Sequence, residues 1–326
     1  MRTKPTFVEI FAGAGLMSHA FIKAGFSPIL AVELDERACH SYRNNIGDHI
    51  VCGDVCRISP PDSCDVLVAG PPCQGFSTLN RTRADDPRNR LCFEVIRWAK
   101  RMSPQHVVIE NVAPFANSEI CQSLLERLKR LGYASAVYIL NAADFGVAQE
   151  RKRTFLIASK FGSVEGMTFR HRSPVTIAEA WRELPNRRID PQGGIYPLPS
   201  ELALARFKVI PRNGDRRDIL LHAPELAPES WFKLRPNDNT GVWGRMNRQS
   251  VSPTIRTCFQ NPSKGRYIHP TRNRVITLRE AARLQTIPDS WTFTGDRSSV
   301  TRQIGNGVPV KLAATVARKC RRLLES

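Results

Sequence analysis

The first 160 residues alternate in a way that leaves few folds open. Short apolar runs rich in β-forming residues fall at 6–12, 28–33, 65–69, 106–110, 135–140 and 154–158, and stretches with helical periodicity lie between them at 15–24, 35–45, 89–102 and 118–131. Strands that alternate with helices predict a mostly parallel sheet covered by helices, because a parallel pair needs a crossover connection. In such a sheet, ligands gather beyond the carboxyl ends of the strands. Every motif that directly follows an apolar run is therefore expected on one edge of the sheet.

The chain changes character after this region. Residues 181–276 carry 17 Lys and Arg against 8 Asp and Glu, hold 11 of the 23 prolines, and show little sustained periodicity. This predicts a separate loop-rich domain with a basic surface. The whole chain of 326 residues has a formal charge of +18, and a polyanionic partner accounts for such an excess because Lys and Arg contacts to phosphate dominate nucleic-acid affinity. We expect residues 1–180 to form a catalytic and cofactor-binding domain, completed by a C-terminal helix over 301–326. Residues 181–300 form the small domain, with a hinge at about 277–300.

No basic start followed by an apolar run marks a secretory signal, and no stretch approaches the ~20 apolar residues that span a bilayer. A soluble, cytoplasmic protein without a membrane partner is expected. Nine cysteines without framework spacing fit a reducing compartment. Cys52, Cys56 and Cys64 lack a second ligand pair, so no metal is expected.

Four strand ends carry chemistry. Gly13 and Gly15 in "FVEIFAGAGL" allow a tight turn and close approach of a ligand at a helix N-terminus, and Glu33 ends the second strand where a carboxylate can bind ribose hydroxyls. Ser18 breaks the full dinucleotide pattern, which favours a nucleoside without pyrophosphate. Asp54 in "CGDV" is placed for an adenine amino group. Downstream, "DVLVAGPPCQGFSTLNRTR" stops an apolar strand with Pro71 and Pro72 and sets Cys73 at its end, where the prolines reduce the entropy lost in positioning the thiol. Glu110 in "VVIENV" ends another strand on the same edge, suited to general acid work. Arg151 and Arg153, two apart in "QERKRTF", project from one face of a strand.

Taken in order, "FAGAG", "ELD", "GDV", "GPPCQGFS", "ENV", "QERKR", "RVITLREAARLQTIPDSW" and "RQIGNGVPV" identify a resemblance to the DNA (cytosine-5)-methyltransferase family in its small bacterial form, of restriction-modification or orphan type. The resemblance spans nearly the whole chain. It implies an α/β, Rossmann-like S-adenosylmethionine-dependent methyltransferase fold with a smaller target-recognition domain. It further implies that Phe11, Gly13, Gly15, Glu33, Leu34, Asp54, Leu91 and Asn306 line an S-adenosylmethionine pocket, with Leu34 where some relatives carry an aromatic. Cys73 would be the nucleophile and Glu110 would contact the target base. Arg153 would bind the exocyclic carbonyl, and Arg151 would steady the carboxyl and the loop.

Gln74 and Ser77, with Arg81 and Arg83, would belong to a loop that closes over double-stranded DNA. Thr254, Arg245 and Arg248 are candidate DNA contacts in the small domain, and Arg279, Glu280 and Arg283 would brace the domain junction. A monomer is expected, with any cognate restriction endonuclease acting separately. Three other readings compete. A tRNA methyltransferase uses the same residues, an inactive DNA-binding regulator gives no reason for Cys73, Glu110 and both arginines together, and a thiol hydrolase needs a histidine base absent from these motifs.

Overall fold

The computed structural model describes residues 4–72, 87–184, 198–233 and 241–325. The chain divides into two compact units, one of Met1–Gly146, Arg151–Ser173 and Gly307–Ser326, the other of Val147–Glu150 and Pro174–Asn306.

The first unit is built on seven strands: β1 (Thr6–Ile10), β2 (Ser27–Glu33), β3 (Ile50–Cys52), β4 (Val66–Ala69), β5 (His106–Val112), β6 (Ala134–Asn141) and β7 (Lys152–Ser159). Their order is β3-β2-β1-β4-β5-β7-β6. Pairings from β3 through β5 are parallel, whereas β7 runs antiparallel to both β5 and β6. Every residue of β4 is buried, which is why that strand reads as a continuous apolar run rather than an alternating one.

Four helices connect the strands: α1 (Leu16–Lys23), α2 (Glu36–Asn45), α3 (Glu94–Met102) and α4 (Glu119–Arg130). Asp35 caps α2 by accepting from the Arg37 and Ala38 amides, and Ser118 caps α4 through the Cys121 amide. On α3 the buried residues are Val95, Trp98, Ala99 and Met102, the i, i+3, i+4, i+7 stripe that faces a core. Val95 and Met102 each contribute roughly 1.5–3 kcal/mol relative to exposure. They meet Val8, Ile10, Leu67, Val107 and Ile109 in one continuous cluster.

The second unit carries α5 (Ile177–Ala180), α6 (Glu201–Val209), α7 (Arg216–His222), α8 (Glu229–Phe232), α9 (Leu278–Leu284) and α10 (Arg297–Asn306), and then α11 (Val310–Leu323) closes the first unit. Among its described residues the second unit has no strand ladder, only isolated bridges such as Arg245 with Ile268. A small core of Phe207, Ile210, Ile219, Trp243, Ile268 and Val275 holds it.

The single helix expected over 301–326 is two helices. Pro309 has no amide hydrogen and its ring obstructs the preceding turn, so α10 stops before it and α11 starts after it. Among the described residues no helix is long and apolar enough to cross a membrane.

Candidate active site

The loops after β1, β2, β4 and β5 leave the sheet at one edge. Phe11, Gly13 and Gly15 all have positive φ, at 60, 54 and 89 degrees, within the turn that joins β1 to α1. Only glycine tolerates that region freely, and at Gly15 a second constraint applies, since a β-carbon there would lie 2.8 Å from Cδ2 of Tyr42. A β-carbon at Gly13 would meet nothing within 4 Å, so open space lies above that position.

Glu33 ties the turn to its neighbour. Its Oε2 accepts from the Gly13 amide at 2.7 Å, and its Oε1 accepts from the Leu34 and Asp35 amides at 2.9 Å each. Three of about four acceptor positions are thus taken by backbone, and one remains for a ligand hydroxyl. Leu34 beside it is 72% exposed, an apolar side chain presented to solvent just after the end of β2. Asp54 accepts from the Cys56 amide at 3.0 Å, which holds its carboxyl below the usual range. Leu91 is half-buried in a 3-10 turn (Pro87–Phe93) that leads into α3.

The segment that leads toward Cys73 is held on both sides. The Gly70 amide continues the ladder onto the Ile10 carbonyl at 3.3 Å. Asn111 Nδ2 donates to the Pro71 carbonyl at 3.4 Å, and the Cys92 thiol donates to the Pro72 carbonyl at 3.9 Å. Cys73 itself, with Gln74, Ser77, Arg81 and Arg83, lies outside the described residues.

Glu110 lies two residues before the end of β5, with its carboxyl buried. Arg153 on β7 reaches it, Nε to Oε1, at 3.0 Å. The register explains the meeting, because Arg153 pairs with Val112, two residues beyond Glu110 on the same strand face, which makes Glu110 and Arg153 diagonal neighbours across the antiparallel ladder. Burial raises the Glu110 carboxyl above its ordinary range, and the charges of Arg153 and then Arg151 oppose this without cancelling it. A β-carbon at Gly70 would sit 3.8 Å from Glu110 Oε2, so the end of β4 and this carboxyl are neighbours. Burial favours the protonated form of this carboxyl, the form that can donate to a ring nitrogen, and the guanidinium anchors it.

Arg153 pairs with the Glu110 carboxyl, while Arg151 is buried, donates to the Gly307 carbonyl at 3.0 Å and through its amide to Asn141 Oδ1, and adds its charge to that of Arg153 at the carboxyl. Arg151 precedes β7, where the chain is still pinned to the end of β6, and its side chain follows that backbone rather than the strand face.

Within the second unit the expected DNA contacts separate. Arg245 is a correction: it is 4% exposed, and its guanidinium donates to the carbonyls of Ile210, His269, Arg272 and Phe207 and to Asn273 Oδ1. A guanidinium whose donors are satisfied inside a core has none left for a base edge. Thr254 is half-buried, its hydroxyl on the Glu150 carbonyl at 2.6 Å, and Arg248 is exposed. Asn306 is exposed at the end of α10. Arg279, Glu280 and Arg283 bond inside the second unit, to Pro288 and Trp291, to Arg274, and to Asp289 respectively.

Sequence reasoning assigned no role to Asn111, although it follows Glu110 directly, nor to Glu9, an acid inside the apolar run 6–12. That lone charge in a buried strand was the available signal.

Comparison with known proteins identifies the family. The profile of the family described as C-5 cytosine-specific DNA methylase matches residues 5–322. The chain is 34% identical over 334 residues to Type II methyltransferase M1.HphI of Haemophilus parahaemolyticus, covering 96% of this chain and 85% of that one. It is 32% identical to Type II methyltransferase M.Eco47II of Escherichia coli, covering 98% and 79%. Among solved structures, a putative DNA modification methyltransferase encoded within an E. coli prophage superposes with a TM-score of 0.72 at 25% identity, over 99% of this chain and 100% of the other.

Proposed function

The chain belongs to the C-5 cytosine-specific DNA methylase family and is a DNA cytosine-5 methyltransferase; from that premise we propose that Cys73 is its nucleophile, Glu110 its acid and Arg153 the anchor of that acid. The observation that carries this is the buried Glu110–Arg153 pair at 3.0 Å, beside a Pro71 carbonyl held by Asn111. Carbon 5 of cytosine is a poor nucleophile. The Cys73 thiolate adds to carbon 6, and the displaced electron pair moves into the ring as nitrogen 3 takes the proton that Glu110 holds. Carbon 5 thereby gains enamine character. Arg153, kept in place by the carboxyl, offers its remaining donors to the exocyclic carbonyl, and Arg151 adds positive charge from behind. When carbon 5 later loses its proton to a base, the carbon–sulfur bond breaks, the thiolate leaves with its electron pair, and nitrogen 3 returns its proton to the Glu110 carboxylate.

The residues around the glycine turn fit S-adenosylmethionine, which supplies an electrophilic sulfonium methyl when bound. Open space over Gly13, the exposed face of Leu34 for an adenine, and the free acceptor positions of Glu33 and Asp54 support that assignment. Phe11 and Gly15 shape the turn, while Leu91 and Asn306 enter through the family's motifs.

A cytosine stacked in a duplex cannot present carbon 6 to a thiol, so the double-stranded DNA substrate has to release its target base at a few kcal/mol. Gln74, Ser77, Arg81 and Arg83 would contact the opened DNA. Sequence choice resides in the second unit, where Arg248 remains exposed for phosphate or base. The Type II methyltransferase names of the relatives support a restriction-modification setting; to that reading belong a cytoplasmic, monomeric protein and a cognate endonuclease that acts separately. A duplex carrying 5-fluorocytosine at the target position tests the chemistry. A trapped adduct that requires both Cys73 and S-adenosylmethionine is expected, and its absence overturns the assignment.

A further inference from the structure

Glu9 sits in the middle of β1, 2% exposed, flanked by Ala31 of β2 and Val68 of β4, and the chemistry above makes no use of it. Its carboxylate is the first link of a continuous chain. Ser18 Oγ on α1 donates to Glu9 Oε2, Ser18 Oγ lies 2.8 Å from the Tyr42 hydroxyl on α2, and that hydroxyl lies 2.8 Å from Nε2 of His49. His49 in turn is fastened to the sheet, its carbonyl accepting from the Ala31 amide at 2.9 Å where the chain enters β3.

We propose that Glu9, Ser18, Tyr42 and His49 form a buried hydrogen-bond relay that sets the shape of the cofactor turn, making Glu9 and Tyr42 positioning residues for S-adenosylmethionine. The inference rests on the reading that this turn binds that cofactor. Its geometric core is the Tyr42 ring, which fills the space directly beneath Gly15. The hydroxyl fixes where that ring lies, and the ring fixes how closely the turn can approach the helix. The relay also joins the elements that carry the candidate pocket: Gly13 and Gly15 lie between β1 and α1, Glu33 precedes α2, and Asp54 follows β3.

Burial pushes the Glu9 carboxyl up to about 8, and among the described residues the titratable groups that face it are the Tyr42 phenol from α2 and the Glu33 carboxylate at the end of β2. His49, beside Asp48, is lowered by burial. A protonated Glu9 allows the chain either polarity. An ionised Glu9 allows one only, with His49 donating to Tyr42, Tyr42 to Ser18 and Ser18 to Glu9. Because the folded value lies above the ordinary 4.5, the unfolded chain gives up this proton first. The protein therefore loses stability as pH rises from about 4.5 to about 8 and loses no more beyond that.

Titration calorimetry with S-adenosylmethionine on the full chain tests the proposal, alongside thermal unfolding across pH. Tyr42→Phe keeps the ring and removes the link, and should weaken binding roughly tenfold, with the Michaelis constant for the cofactor rising and kcat retained. Glu9→Ala should weaken binding similarly, while Glu9→Gln, neutral and of the same shape, should restore it to within about threefold of wild type. Glu9→Gln should also remove the Glu9 share of the stability lost between pH 4.5 and 8, so that its unfolding profile is flatter than wild type, a readout that needs no cofactor and survives if Glu9→Ala fails to fold. Wild-type affinity in Tyr42→Phe, or equal pH profiles of unfolding in wild type and Glu9→Gln, overturns the relay. A wild-type chain that binds no S-adenosylmethionine at any pH instead overturns the cofactor reading and, with it, the relay's assigned purpose.

Discussion

The two units handle their charged residues in opposite ways. In the first, a regular strand ladder carries Glu33 and Glu110 to the sheet edge, so backbone pairing positions the chemistry. In the second, no strand ladder exists among the described residues and arginines take over much of the structural work. Arg245 holds four carbonyls, Arg274 pairs with Glu280, Arg266 reaches Asp215, and the Arg206 guanidinium lies 5.1 Å from the ring centres of both Trp231 and Trp243. A basic composition is therefore not the same as a basic binding surface. Part of the excess in residues 181–276 is internal scaffolding, in a region where loops leave many carbonyls without partners.

Four substitutions sharpen this contrast. Cys73→Ser should remove the covalent step and lower methyl transfer by at least about 10⁴-fold, with cofactor and DNA binding retained. Transfer within tenfold of wild type would detach the chemistry from the sheet edge. Glu110→Gln should cost roughly 10²–10³-fold in rate. Because burial raises the wild-type carboxyl, the wild-type rate should fall as alkaline pH removes that proton, and the variant should lack this limb. A shared pH profile means that Glu110 is not the acid.

The remaining two compare arginines within the second unit. Arg245→Ala leaves buried carbonyls unpaired and should destabilise the protein by roughly 3 kcal/mol, as read by chemical denaturation, without changing the methylated sequence. Unchanged stability with altered target choice would return Arg245 to the DNA-reading set. Arg248→Ala, at an exposed position, should leave the fold intact and reduce the salt slope of DNA binding by about 1 if it meets a phosphate. Loss of discrimination at a single base position, at an unchanged salt slope, would make it a base reader instead.

Much of the first unit was legible because its signals are local. Apolar runs and helical stripes depend on neighbours within a few residues, and the expected runs correspond to β1, β2, β4, β5, β6 and β7. The reversed direction of β7 was not legible, since a strand's apolar pattern is the same in either orientation. The break at Pro309 lay in plain view within "GNGVPV" but was read through as one helix.

The chain's own order of residues determined the βα alternation, the glycines of the cofactor turn, the strand ends that carry Glu33 and Glu110, and membership of the methylase family. Tertiary structure alone decided which arginine meets Glu110, that Arg245 turns inward, and that Glu9 connects through Ser18 and Tyr42 to His49. The physical reason is range. Strand and helix patterns follow from backbone geometry over a few residues, whereas the partner of a buried charge is whichever group folding brings within about 3 Å, often from tens of residues away.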